Sequence, residues 1–157
     1  MSMPSMPLSK KSLPVACTLE DAFEYVADWT NLKNFMPMFL DIKPVSLVSY
    51  GPGTSLEATV VIAKMEIATT LDLVEFVKNK RILYKATRGF RSRISWDFGI
   101  LGDKVMVSFF YEYEIPPGFA RRDVEKEAIE KDMQSRVDQC MDLLKWVLES
   151  SHMTKKE

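Results

Sequence analysis

The sequence predicts one α+β domain in which a curved antiparallel sheet of seven strands packs around a long C-terminal helix. The chain has 157 residues, 46% of them hydrophobic and 27% charged, which suits one folded domain with one core. Short runs rich in Val, Ile, Thr, Phe and Tyr fill residues 41–115 at the spacing of an antiparallel meander. Beyond them, apolar residues recur every three or four positions, as in an amphipathic helix. We expect a single domain over residues 1–157, with flexible ends at about 1–6 and 150–157.

The N-terminal part predicts one strand followed by two short helices. The strand covers residues 8–15. Thr18 stands at an N-cap position with Asp21 three residues later, so a helix of about three turns follows. Thr30 is predicted to cap a second short helix over residues 31–35, which a proline then ends because it restricts the residue before it.

Six further strands follow, divided by turns at 51–53, 63–65, 78–80, 89 and 102–103. The prolines at positions 116 and 117 end the sheet because they cannot donate to its ladder. The long helix begins near Val124, and its apolar stripe predicts one buried face.

Side-chain alternation along the last four strands separates an apolar face from a polar one. We expect Asp72 opposite Lys85, Lys85 opposite Arg93, and Arg93 opposite Phe110. The apolar face then holds Ile67, Thr69, Leu71, Leu73, Ile82, Tyr84, Ala86, Ile94, Trp96, Phe98, Val105, Val107, Phe109, Tyr111 and Tyr113. The C-terminal helix is the element whose apolar stripe is long enough to cover this face, so the sheet is predicted to curl around it.

Several segments of the chain carry a family resemblance. They are Leu13-Pro14-Val15, Phe35-Met36-Pro37, Gly51-Pro52-Gly53, residues 74–82, residues 94–98 and residues 111–116. In this order they resemble the helix-grip fold of the START/Bet v1-like (SRPBCC) superfamily, especially its small polyketide cyclase/dehydrase and lipid-transport-like domains. The resemblance implies an elongated apolar cavity between sheet and long helix, with the short helices and loops at its mouth.

Eleven apolar side chains would line this cavity if the resemblance holds. They are Leu71, Tyr84, Trp96, Phe109 and Tyr111 on the sheet, Met133, Val137 and Met141 on the helix, and Phe35, Met36 and Met38 near the entrance. The chain has 10 methionines, whose flexible side chains suit a pocket of loose specificity. The alternative is that the same residues fill a solid core.

Polar groups on the apolar face give a second set of candidates. The hydroxyls of Thr69, Tyr84, Ser92, Tyr111 and Tyr113 would either orient a ligand or bond to neighbouring backbone. Arg88 has the inward parity on this register and is the candidate for an anionic head group; a solvated hairpin tip is the alternative.

The sequence indicates neither a catalytic site nor a metal site. Its one histidine, His152, lies in the polar tail, so no Ser-His-Asp triad or His-ligated metal is expected within the fold. Cys17 and Cys140 lack a CxxC spacing and are interpreted as buried thiols, although Cys17 precedes a helix start, where a reactive thiolate is favoured. We expect no cofactor.

The net charge and the distribution of charged residues argue against nucleic acid and membrane as partners. The net charge is −1, and the basic run at 78–93 is interrupted by acids on adjacent strands, with Asp72 near Lys85 and Glu112 near Arg91. We therefore expect no nucleic-acid binding, and the charges of the long helix argue against stable membrane insertion. No signal peptide is recognised, which favours a cytoplasmic location. We expect a monomer or a homodimer.

The sequence thus predicts binding or transport of a hydrophobic or amphipathic small molecule, such as a lipid, isoprenoid or polyketide-like compound. Two alternatives remain. One is a polyketide cyclase/dehydratase-like enzyme that acts without a metal in the same cavity, and the other is a protein-interaction module with no open cavity.

Overall fold

The apolar face of one curled sheet determines how the rest of the chain is arranged. The computed structural model describes residues 6–118, 120 and 122–156, with 152–156 described by backbone alone. Its elements are β1 (Leu8–Val15), α1 (Leu19–Ala27), α2 (Leu32–Phe35), β2 (Phe39–Pro44), β3 (Ser55–Ile62), β4 (Met65–Val77), β5 (Arg81–Gly89), β6 (Ser92–Leu101), β7 (Lys104–Tyr113) and α3 (Asp123–Lys156). The strand order is β1-β7-β6-β5-β4-β3-β2, antiparallel throughout, which confirms the predicted helix-grip architecture.

The ends of the chain bear on the predicted domain limits. The helical backbone of α3 extends past Ser150 to Lys156. Residues 1–5, which belong to the predicted flexible N-terminus, lie outside the described residues, as does the side chain of His152. The domain limits therefore stay a prediction.

The N-cap of α1 is the one predicted from the sequence, whereas the N-cap predicted for the second short helix is not observed. Thr18 Oγ1 accepts a hydrogen bond from the Asp21 amide at 3.1 Å, as predicted. The expected Thr30 cap is wrong, because Asp28 Oδ1 accepts from both the Thr30 amide (3.0 Å) and the Thr30 hydroxyl (2.7 Å). A carboxylate is the stronger acceptor. A 3-10 turn over Trp29–Asn31 therefore precedes α2.

The predicted register is correct at two of its three positions. Asp72 lies opposite Lys85, and Lys85 opposite Arg93. Arg93 faces Glu112 and not Phe110, because a tight turn pairs Leu101 with Lys104 and moves the partner by two residues. A shift of two preserves side-chain parity, so the predicted inner face is retained.

Two outward positions differ from the sequence prediction. Leu83 and Ser95 lie opposite each other on the predicted polar face, yet they are only 3% and 6% exposed. Long charged side chains on the same face, such as Lys85 and Arg93, can cover them with their aliphatic stems.

Arg88 does not have the inward orientation that the sequence predicted. Between the pairs Thr70–Arg88 and Asp72–Lys85, β5 has one more residue than β4, and this bulge reverses the parity. Arg88 is therefore exposed and pairs with Thr70, which alternates with the buried Thr69 along β4.

Polar side chains of α3 bind the free edge of β1. Gln134 Nε2 donates to the Lys10 carbonyl at 3.0 Å, while Gln134 Oε1 accepts from the Lys10 amide at 3.3 Å. Lys145 Nζ donates to the Pro14 carbonyl at 3.2 Å, and Glu149 Oε2 accepts from the Ala16 amide at 2.9 Å. The helix therefore both covers the sheet and partners the backbone of its edge strand.

Replacing Gly89 by Ala should destabilise the protein strongly, because Gly89 has a φ of +72° and an added Cβ would collide with the Ala68 carbonyl oxygen. Gly102→Ala is the matched control, since Gly102 has a φ of +61° and nothing within 4 Å of an added Cβ. We expect about 1 to 2 kcal/mol for the control and at least about twice that for Gly89→Ala in urea denaturation. Equal losses would show that the close approach to Ala68 costs nothing.

Glu149→Gln should remove part of the acid sensitivity of folding. The Lys145 hydrogen bond, followed by the Ala16 amide, lowers the pKa of Glu149 below its ordinary value of 4.5. The ionised carboxylate therefore stabilises the fold above that value, and this contribution is lost as pH falls through the lower folded pKa. Urea titrations from neutral to acidic pH should show a flatter decline for Glu149→Gln than for the wild type. Glu66→Gln, on an exposed strand position, should leave the profile unchanged.

Candidate functional site

The interior between the sheet and α3 contains all eleven apolar side chains predicted from the sequence. None of them is more than 2% exposed, and all belong to one core cluster. They are Phe35, Met36, Met38, Leu71, Tyr84, Trp96, Phe109, Tyr111, Met133, Val137 and Met141. The structure therefore buries these residues in one cluster, while the predicted cavity and the role of these side chains toward a ligand stay predictions.

Trp96 is the centre of the aromatic part of this interior. Its ring stacks on Phe109 with 5.1 Å between centroids and 4° between planes. Tyr84 and Phe35 approach it edge-on at 6.2 and 6.4 Å. Phe35 belongs to α2, so this short helix packs against the Trp96 ring on the side away from the sheet.

Four buried polar atoms on the inner face make no hydrogen bond of normal distance and angle to a described residue, although the Ser92 hydroxyl lies near that of Tyr111 and the Ser9 hydroxyl near that of Tyr113. They are Ser92 Oγ, Trp96 Nε1, Tyr111 Oη and Tyr113 Oη, and we call them the donor cluster. Thr69 is the contrast, because its hydroxyl donates to the Phe90 carbonyl at 3.0 Å. An unpaired buried polar group costs about 1 to 3 kcal/mol, so four of them on one face would be costly in a solid core.

The members of the donor cluster lie on two adjacent strands. Ser92 on β6 is the cross-strand partner of Tyr113 on β7, and the rings of Tyr111 and Tyr113 are 5.9 Å apart. Trp96 lies on the same face of β6, four residues from Ser92. The sequence analysis identified the three hydroxyls as candidates and missed the Trp96 indole N–H. The signal for it was available, because a buried tryptophan carries an N–H that can act only as a donor.

The phenols of this interior are protonated at neutral pH, and burial makes their ionisation still harder. Burial raises the pKa values of Tyr84 and Tyr111 well above the ordinary range, and a hydrogen bond with Ser92 lowers that of Tyr111 without reversing the shift. Burial, with the charge of Glu130, raises the pKa of Tyr113 to about 12. At neutral pH the cluster therefore presents O–H and N–H groups that suit acceptor oxygens of a guest.

The cysteines do not form a reactive site. Burial raises the pKa of Cys17 to about 11, and the charges of Asp21 and Glu149 add to the effect, so a thiolate at the start of α1 is disfavoured. Burial raises the pKa of Cys140 to about 12, and its sulfur lies 3.5 Å from Met38 Sδ. No group of three or more metal-ligating side chains occurs in the described part of the chain.

Grooves open to solvent lie around this interior. One of about 420 Å³, the β1–α3 groove, is lined by Pro7, Leu8, Ser9, Tyr113, Glu127, Glu130, Lys131 and Gln134. Another of about 420 Å³, the β5–β6 groove, is lined by Met6, Lys85, Ala86, Thr87, Arg91, Ser92, Arg93 and Glu114. Tyr113 and Ser92, both members of the donor cluster, therefore each line a groove.

Arg88 lies in a third groove of about 450 Å³, the β2–β5 groove, beside Asp41, Lys43 and Glu57. The structure thus separates Arg88 from the eleven interior side chains, and its proposed contact with an anionic head group stays a prediction. Arg81 of the basic run is paired, since it contacts Glu75 at 2.7 Å and Asp97 at 3.0 Å. The expected Glu112–Arg91 contact is wrong, because Arg91 lies 3.7 Å from Glu114.

Comparison with known proteins gives a family and a fold. Residues 6–149 match the family described as polyketide cyclase / dehydrase and lipid transport. No curated protein matches the chain. A solved structure from Thermus thermophilus is similar, with a TM-score of 0.78 at 18% identity over 92% of this chain and 99% of that one.

Two further solved structures are similar in fold. A START superfamily protein from Mycobacterium smegmatis has a TM-score of 0.67 at 16% identity, covering 94% of this chain and 98% of its own. The di-domain ARO/CYC StfQ from the steffimycin biosynthetic pathway has a TM-score of 0.70 at 12% identity, covering 94% of this chain and 52% of its own. At these identities the likeness concerns the fold alone.

Nothing among the helices of the described residues has the length and apolar character needed to span a bilayer.

Replacing Tyr111 by Phe should stabilise the protein by about 1 kcal/mol, because it removes a buried hydroxyl that makes no well-formed hydrogen bond to a described residue. Tyr50→Phe is the control: the Tyr50 hydroxyl donates to Glu24 Oε2 at 2.8 Å, so its loss should be neutral or destabilising. Urea denaturation measures both, after organic extraction and refolding have removed any co-purifying small molecule. A loss of stability in Tyr111→Phe would mean that this hydroxyl is already satisfied in the free protein.

Proposed function

Because the chain belongs to the polyketide cyclase / dehydrase and lipid transport family of the START/Bet v1-like superfamily, we propose that it binds a hydrophobic or amphipathic small molecule between its sheet and α3. The guest is a lipid, an isoprenoid or a polyketide-like compound with at least one acceptor oxygen.

The donor cluster is the observation that carries this proposal. A core that only stabilises the fold gains nothing from four polar atoms that lack a well-formed hydrogen bond, and apolar side chains of the same shape would remove their cost. A guest carbonyl or hydroxyl oxygen would accept hydrogen bonds from Tyr111, Tyr113 or Ser92, while its hydrocarbon part would contact Trp96 and Phe109. The cluster therefore fits an amphipathic guest better than a pure hydrocarbon.

The energetics allow binding without covalent chemistry. Burial of about 300 Å² of apolar ligand surface at about 25 cal/mol per Å² yields roughly 7 kcal/mol, before association costs of at least about 4 kcal/mol. Each hydrogen bond to the donor cluster adds about 1 kcal/mol and relieves a desolvation cost already present in the free protein. Micromolar binding is within this range.

Flexible side chains give the interior the capacity to admit a guest. Met36, Met38, Met133 and Met141 are each no more than 1% exposed and belong to the same cluster. Unbranched thioether side chains change rotamer at low cost, so they can move apart around guests of different shape. We therefore propose loose selectivity for the hydrocarbon part and stricter selectivity for the oxygen that meets the donor cluster.

Native mass spectrometry of the protein purified from its own host, followed by organic extraction, tests the proposal. We expect a co-purifying small molecule, and Tyr111→Phe should weaken its rebinding about fivefold to tenfold through loss of one hydrogen bond. Tyr50→Phe should bind normally, since that hydroxyl already donates to Glu24. Conversion of the extracted compound on incubation with the protein would favour the cyclase/dehydratase alternative. A clean apo mass, with no thermal shift across lipids and polyketides, would reject binding.

A further inference from the structure

The connection between β2 and β3, residues 45–54, is an exposed segment without charge, and we call it the apolar loop. Residues 44–56 contain no Asp, Glu, Lys, Arg or His, although 27% of the whole chain is charged. Leu47 is fully exposed, and Val45, Val48 and Tyr50 are each about half exposed. Single exposed apolar side chains are common, whereas a cluster of them indicates a surface that contacts something other than water.

The hydroxyls of the apolar loop bind its own backbone. The Ser46 hydroxyl accepts a hydrogen bond from the Ser55 amide at 2.8 Å and donates to the Val48 carbonyl. The Thr54 hydroxyl and amide both donate to the Gly51 carbonyl, at 2.8 and 3.2 Å. A segment that approaches hydrocarbon has to satisfy its polar groups internally. These bonds therefore lower the cost of bringing the loop against an apolar phase.

Tyr50 connects the apolar loop to the interior. Its hydroxyl donates to Glu24 at 2.8 Å, and its ring lies edge-on to Phe76 with 5.4 Å between centroids. The Phe76 ring lies 5.2 Å from that of Phe23, which lies 5.5 Å from that of Phe98. Phe23 and Phe98 belong to the core cluster. A row of aromatic rings thus leads from the loop to the apolar interior.

Charges of both signs flank the apolar loop. Apart from the ion pairs of Arg81, they include Lys78 and Lys80 in the turn after β4, and Glu24 and Asp28 beside Tyr50. Because the two signs nearly balance, apolar contact has to supply most of any attachment. The lysines add a smaller attraction to anionic surfaces, which salt screens.

We propose that the apolar loop docks the protein reversibly on a lipid bilayer by inserting Leu47 and Val48 into its surface. The occupant is a bilayer because a stable protein interface involves about 20 to 30 residues on each side, whereas interfacial binding to lipid grows with each apolar side chain that is buried. Tyr50 lies at the level of the head groups, where amphipathic rings are favoured. Such docking is peripheral, unlike the insertion of a spanning helix. It goes beyond the proposed function and does not depend on it.

Co-sedimentation with vesicles of phosphatidylcholine, with and without phosphatidylglycerol, tests the inference. We expect the wild type to bind the vesicles and Leu47→Ser to bind about tenfold more weakly, because a leucine side chain no longer enters hydrocarbon. Val124→Ser is the matched control. Val124 is 60% exposed at the start of α3, which lies at the opposite end of the sheet, so its replacement should leave vesicle binding unchanged. Equal melting temperatures of the three proteins confirm that all are folded.

A labelled variant locates the contact. Leu47→Cys introduces an exposed thiol, while Cys17 and Cys140 are buried, so an environment-sensitive fluorophore can be attached at position 47. We expect its emission to shift to the blue on vesicles and to be shielded from a quencher dissolved in the water.

The outcomes separate docking from guest binding. If the wild type binds neither kind of vesicle, docking is overturned and guest binding, which the extraction experiment tests without membranes, is unaffected. Docking is also overturned if Leu47→Ser binds as the wild type does, or if the fluorophore on bound protein stays open to the quencher. Weaker binding of Leu47→Ser with a shielded fluorophore supports docking even where no guest co-purifies.

Discussion

The contact between the inner face of the sheet and α3 is the interaction on which the rest of the structure depends. Each surface is too apolar to remain in water, and within the described residues neither has another partner of matching length. The curl of the sheet follows from this, since seven twisted strands can only keep their apolar side on one helix by wrapping it. The short helices α1 and α2 then cover the part of the inner face that α3 leaves open.

The chemistry of the covered surface is not that of a simple core. Tyrosine, serine and tryptophan donors lie in a region where hydrophobic side chains surround them, and burial holds the phenols in their neutral, donating form. On the function proposed above, such an interior would suit a guest that brings oxygen acceptors with it. A cost in the free protein would then become a gain in the complex, in a protein that is not maximally stable.

Most of the fold was predicted from apolar side chains that recur every two residues in strands and every 3.6 residues in helices. The one-sided alternation of Ile94, Trp96 and Phe98 identified the inner face even though the register at Arg93 was two residues off, because parity survives an even shift. The bulge that turns Arg88 outward was not predictable, since an extra residue in one strand leaves no mark on local alternation. The Asp28 cap was missed because Asp28 and Thr30, two residues apart, are both residue types that can cap the turn before α2.

The sequence predicts which residues form the candidate site, but not which of their polar atoms have hydrogen-bond partners. Burial of Trp96 and Tyr111 follows from strand parity, whereas the presence or absence of a partner for each polar atom depends on side-chain rotamers across several strands. The groove beside Ser92 arises where a ladder ends, which depends on tertiary pairing. The residues that line it come from different strands, so spacing alone could not bring them together.

The pairing of Gln134 with Lys10 has a consequence for how copies of the protein meet. A bare outer strand is a template for the strand of a neighbour, and stacking of that kind leads to fibres. Here the side-chain amide occupies the Lys10 backbone groups that an added strand would need. At the opposite edge, a shift in the β2 ladder between Leu40 and Lys43, with Asp41 at a φ of +53°, breaks the regular row of donors and acceptors. Both edges of the sheet are therefore poor templates for an added strand.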